Sequence, residues 1–136
     1  MTKRGEPTEP PLCWARPVAR CDVPNHGKIP FKREVFASAE MFENCGMHVA
    51  VHHVDLSGED GRERYSRLHI HEVDEINLLV SLSLTRPLRY RFVVGSEEFE
   101  LTGSHSVFIP AGTVHSADAV SGRGLFVCLV SQGSLR

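Results

Sequence analysis

Lysine is nearly missing from this chain. Lys3, Lys28 and Lys32 are the whole supply, and arginine carries the remaining positive charge. No Lys/Arg-rich block occurs and the net charge is only -2, so a surface that tracks phosphates is not expected, nor a nucleic-acid partner. Apolar runs long enough to span a membrane are also missing. The polar, proline-rich stretch from Met1 to Pro11 has no apolar core of a secretory signal, which leads to the expectation of a cytoplasmic protein with no membrane contact. Cysteine is sparse: Cys13, Cys21, Cys45 and Cys128 form no C-x-x-C pair, which excludes a disulfide-dense scaffold. They read as reduced thiols, with a Cys13–Cys21 bridge across the N-terminal arm as the alternative.

What is there fits one domain. With 136 residues, 41% of them hydrophobic, the chain can build a real core. Six of the eight prolines fall within residues 1–30, which cannot sustain a helix and read as an extended arm. Residues 31–136 read as a β-barrel. A helical turn capped by Ser38 is expected over Ser38–Glu43. Strands are expected at Met47–Leu56, at Leu68–His71, at Glu75–Leu84 and from Leu88 to Val94. A Gly95-Ser96 hairpin leads into Glu97–Leu101, followed by Val107–Pro110, His115–Val120 and Leu125–Val130. Short strands with Gly/Pro punctuation, no internal repeat and almost no helix imply an all-β antiparallel barrel or sandwich.

The sharpest local pattern is His69-Ile70-His71-Glu72-Val73-Asp74-Glu75. In extended backbone, side chains two apart share a face, so His69, His71 and Glu75 share one side. Two imidazoles and a carboxylate suit a first-row divalent ion. A third histidine should come from a facing strand. His115 qualifies, because Pro110-Ala111-Gly112 makes a tight reversal that starts its strand at a defined place. Four ligands would leave one or two positions open, as a catalytic metal requires.

These residues resemble the two motifs of the cupin superfamily. His69, His71 and Glu75 match H-x-H-x-x-x-E, and Pro110, Gly112 and His115 match P-x-G-x-x-H. The resemblance covers roughly residues 46 to 130. It implies a cupin-type double-stranded β-helix, or jelly-roll barrel, with one divalent metal ion in its mouth, Fe(II) or Zn(II) ahead of Mn and Ni. The chain departs from the pattern at Gly103, one residue too far before Pro110. It also departs at Leu82, near the place of the glycine that closes the first motif, and at Ala119, where a polar residue is usual.

Strand parity extends the reading. Continuing from Glu75, Asn77 and Leu79 face the metal, and Ile76, Leu78, Val80, Leu82 and Leu84 form an apolar stripe on the other side. Such a stripe needs a cover, which a homodimer is expected to supply, with the protein's own N-terminal arm as the alternative. His53 shares a face with Met47, Val49 and Val51, which suggests that it points inward as a proton shuttle, or else as a hydrogen-bonded core histidine. Asn77 and Tyr90 are the further catalytic candidates. An inward Arg89 or Arg91 would hold an anionic group, and Phe126 and Cys128 would wall the cavity. His105 is expected at the surface and His26 in the arm.

Two functions fit. One is a mononuclear metal enzyme on a small polar molecule, with oxygenase chemistry if the ion is iron and lyase, isomerase or rearrangement chemistry if it is zinc. The runs 74–78 and 108–116 also resemble the cupin parts of hydrazine-forming synthetases, which suggests specialised-metabolite biosynthesis such as N–N bond formation. The other is a non-catalytic ligand-binding or sensor module.

Overall fold

The computed structural model describes residues 13–20, 29–57 and 65–131. It is all-β: β1 Val18–Ala19, β2 Lys32–Ala37, β3 Met47–Leu56, β4 Glu75–Ser81, β5 Arg89–Val94, β6 Glu97–Thr102, β7 His105–Ile109 and β8 His115–Ser131. Among the described residues no helix is long and apolar enough to cross a membrane. The strands are rich in β-branched and aromatic residues that alternate with polar ones, as strands with two different faces must. All pair antiparallel, in the order β1-β2-β3-β8-β4-β7, while β5 joins β6 to β8. The described residues fold as an antiparallel jelly roll.

β8 holds the two sheets together. The sequence suggested two strands here, but the structure has one of 17 residues. Its first part, His115 to Ser121, pairs with β5, and its second part, Gly122 to Ser131, lies between β3 and β4. The corner between them is made by glycine. Gly122 has φ of 96°, and a Cβ there would sit 2.0 Å from the Pro87 carbonyl oxygen. A Cβ on Gly124 would sit 2.3 Å from the Val80 carbonyl oxygen. Without a side chain at either position, the strand can turn from one sheet into the other.

Inside, the two ends of the barrel differ. One end is packed with Val54, Leu56, Leu79, Leu88, Tyr90, Phe92, Ala119 and Phe126. Tyr90 stacks on Phe126 with ring centroids 4.5 Å apart. Burial of each large side chain there contributes roughly 1.5–3 kcal/mol. Toward the other end the inward positions turn polar. Cross-strand register sets Val35, Ala50, Cys128, Asn77 and Val107 in one row, with His48, Val130, Glu75 and Ile109 in the next. On the outer face Ile76, Val80, Leu82, Leu84 and Phe108 are exposed, so the expected apolar stripe on β4 does point away from the cavity.

Over Ser38–Glu43 there is a single hydrogen-bonded turn: the Met41 and Phe42 amides both donate to the Ser38 carbonyl. One local expectation changes. Leu68–His71 is not a strand but a segment with one bridge, His69 to His115. Part of the arm docks on its own barrel, since Val18 and Ala19 pair with Val35 and Glu34. Pro7, Pro10, Pro11, Cys21, Pro24, His26 and most of the turn after Leu56 lie outside the described residues. Cys13, Cys45 and Cys128 are free thiols.

Candidate metal centre

The histidine segment is fixed by polar contacts with β8 and with the turn before it. Buried Asp118 accepts from the Tyr65 and Ser66 amides at 2.8 Å each. The Tyr65 hydroxyl accepts from the Ala119 amide at 3.0 Å. Three residues after Ser66, His69 and His115 exchange backbone hydrogen bonds of 3.1 and 2.9 Å. The Gly112 amide donates to the His71 carbonyl at 2.8 Å, and the Ala111 amide to Asp74 Oδ1 at 2.9 Å. The Pro110–Gly112 turn is therefore clasped to the His-x-His segment, and both motifs converge because the backbone ties them.

The side chains then converge too. One ligand atom from each of His69, His71 and His115 lies within 4.8 Å of the others. Nδ1 of His115 sits 2.8 Å from the Thr113 carbonyl, and Nδ1 of His69 faces the Arg67 carbonyl. A carbonyl only accepts, so each Nδ1 must carry the proton, which leaves Nε2 of the neutral ring with a lone pair for a cation. Glu75 Oε1 lies 3.2 Å from His115 Nε2 and 3.6 Å from His71 Nε2. Its other oxygen, Oε2, accepts from Asn77 Nδ2 at 2.8 Å and from the Cys128 thiol at 3.2 Å. Burial alone would raise the pKa of Glu75. The contacts with His115, Asn77 and Cys128 outweigh it and hold the carboxyl at about 2. Burial alone would lower the pKa of His115, but the Glu75 carboxylate and the Thr113 carbonyl raise it above its ordinary value.

Glu75 Oε1 and His115 Nε2 are buried and make no hydrogen bond in this arrangement. They face each other at 3.2 Å, and with the His115 ring neutral both present lone pairs across that gap. A cation at their meeting point would satisfy both, so the donor set fits a divalent metal. It faces a cavity of about 870 Å³ whose wall includes Arg33, His48, His52, Asn77, Phe126 and Cys128.

The sequence-predicted residues divide sharply. His69, His71, Glu75, His115 and Asn77 come together, and Phe126 and Cys128 wall the cavity as expected. His53 does not face inward: on the outer face of β3, its Nε2 meets Glu34 Oε1 at 2.8 Å. The inward histidines of that strand are His48 and His52. The apolar company of His53 misled because the outer face of this sheet is its more apolar side. Tyr90 is inward but fully buried in the packed end, stacked on Phe126 and absent from the cavity wall. Arg89 and Arg91 pair with Glu100 at 3.0 and 3.5 Å, away from the cavity. The cations that do line the cavity are Arg20 and Arg33, which the sequence reading did not single out.

No protein-family model matches the sequence, and no curated protein matches it. Solved structures do match in fold. KdgF from Halomonas sp. aligns with a TM-score of 0.54 at 19% identity, over 84% of this chain and 86% of that one. An RmlC-like cupin from Shewanella frigidimarina gives 0.57 at 17% identity, covering 89% and 91%. A predicted oxalate decarboxylase from Thermotoga maritima gives 0.60 at 16% identity, covering 85% and 91%. At these identities the likeness speaks for the fold alone: the architecture is the cupin barrel.

Proposed function

On the premise of a cupin barrel, we propose that this chain is a mononuclear metal-dependent enzyme acting on a small polar metabolite in the 870 Å³ cavity. The observation that carries the reading is the convergence of Glu75 Oε1 and His115 Nε2, buried and without hydrogen bonds, on the site shared by His69 and His71. Those four residues would hold the ion. When bound, it would supply Lewis acidity, or dioxygen chemistry if it is iron.

The chain's own residues do the rest. Asn77 and Cys128 hold Glu75 Oε2, so that Oε1 is the oxygen presented to the ion. The backbone carbonyls of Arg67 and Thr113 fix the ring tautomers of His69 and His115. His48 lines the cavity with its pKa lowered, by burial first and then by the charges of Arg33 and Arg20. It is thus neutral near pH 7 and able to accept a proton from a bound molecule, the role the sequence had suggested for His53. Phe126 lines the cavity and stacks on Tyr90 of the packed end. Whether the chemistry is redox follows from the metal.

Elemental analysis of protein purified without chelator or affinity-column metal, beside H71A, tests the proposal. About one equivalent of metal per chain, lost in the variant, is expected. Iron would direct assays to oxygen consumption, and zinc to non-redox rearrangement. A protein that takes up no metal even after reconstitution would overturn the enzyme in favour of a binding module.

A further inference from the structure

The sheet that carries Glu75 and Asn77 on its inner side is apolar on its outer side. Cross-strand register sets Val49, Leu129, Ile76 and Phe108 in one outer row across β3, β8, β4 and β7. The next row holds Val51, Val127 and Leu78 and ends at Ser106, and Leu125 stands beside Val80 in the third. Ionisable groups enter these rows only at the β2 margin, where Glu34 meets Lys32 at 3.6 Å and His53 at 2.8 Å. A sheet face bound for water normally turns polar at alternate positions, and β4 does not. Yet the described residues leave this face open, with Phe108 57% and Ile76 39% exposed.

Its size is that of an interface. Four strands about 4.8 Å apart, followed along β4 at about 3.4 Å per residue, make a face of roughly 350 Å² before side-chain relief is counted. Exposed Met47, Leu82 and Leu84 continue it. An apolar patch beyond a few hundred Å² marks an interaction site, and with its rim this one approaches the roughly 800 Å² per partner of a stable complex.

The chain has little of its own to lay there. In the described arm, Val18 and Ala19 extend the same sheet beyond β2, and Val18 lines the cavity on the opposite side. Outside the described residues, the stretches 1–12, 21–28, 58–64 and 132–136 offer only Met1, Leu12, Cys21, Val23 and Leu135 besides proline, too few to bury three rows. A second copy offers a matching face. The centre of the patch carries no charge, so two copies bring no like charges together there, and a net charge of -2 opposes their approach little.

We infer that the outer face of β3, β8, β4 and β7 packs on the same face of a second copy, in an isologous homodimer. The inference goes beyond the metal-centre reading and does not depend on it. Ile76 and Leu78 alternate with Glu75 and Asn77 along β4, so the contact backs the strand that carries the carboxylate.

Sedimentation velocity of the full chain, from about 1 to 100 µM, tests it. Twice the chain mass is expected across that range. I76D should weaken the association roughly 100-fold or more, because it buries an unpaired charge on each side, and F108S roughly tenfold. Should a variant fail to fold, isotope-filtered NMR of mixed labelled and unlabelled wild type remains, and must show contacts between copies at the Ile76, Leu78 and Val80 methyls. A monomeric wild type would overturn the inference, whether those methyls then touch residues 1–12 or stay open for a different protein. So would a dimer that survives I76D, or one whose contacts fall on another face. Metal uptake is a separate readout, so a chain that dimerises through this face yet takes up no metal would sink the enzyme reading and leave this one standing.

Discussion

The two ends of this barrel are buried alike and built on opposite terms. Leu88 and Phe92 at the packed end and Asn77 at the polar end all have 0% exposure. The packed end is held by apolar contact: Tyr90 stacks on Phe126, Phe92 stacks on Phe99, and the Tyr90 hydroxyl is the one polar atom of those rings, buried without a hydrogen bond. At the polar end such atoms gather at one place, because Glu75 Oε1, Asn77 Oδ1 and His115 Nε2 are all buried without a hydrogen bond. Equal burial therefore carries different meaning. At one end it stabilises the fold, and at the other it stores a demand for a ligand.

Substitutions should separate the two ends, and the largest stability effect belongs to the packed one. F92A should cost about 3–5 kcal/mol in denaturant unfolding of the metal-free protein. H69A should leave metal-free stability within about 1 kcal/mol of wild type while abolishing stoichiometric metal uptake. A variant that lost both together would erase the distinction between the ends.

The pH dependence of the metal-free protein sharpens the same contrast. Glu75 has a folded pKa of about 2 against an ordinary 4.5, so its stabilising contribution is present above the ordinary value and is lost as pH falls toward 2. E75Q should flatten that acid limb of the stability profile relative to wild type.

Smaller effects are expected from the residues that aim Glu75. N77A or C128A should weaken metal affinity roughly 10- to 100-fold without removing the site, measured by competition with a chelator of known affinity. The smallest belongs to H53A. It removes an outer-face pair with Glu34 and should change stability by less than about 1 kcal/mol, with no change in metal affinity.

The comparison between ends also explains what was legible in the sequence. The ligand set could be read because its spacing is local: His69 and His71 sit two apart, and the Pro110–Gly112 turn fixes His115. On β4 the ligands set the parity, so Asn77 fell on the correct side. On β3 no ligand did, and hydrophobic alternation pointed the wrong way. The polar site occupies the inside of that sheet, while Val49, Val51, Val127 and Leu129 share its outside. Tyr90 failed for another reason. Its parity was right, but alternation gives the face of a strand and not the depth along the barrel. Arg33 was invisible because its inward aim is set by pairing with β3, a contact between segments that no local pattern reports.

The central claim is that the polar end is a metal centre built from His69, His71, Glu75 and His115. Titration of metal-free protein with Zn(II), wild type beside a combined H69A, H71A and H115A variant, tests it most directly. One equivalent bound by wild type and none by the variant is the predicted result. No uptake by wild type, or equal uptake by both, would contradict it.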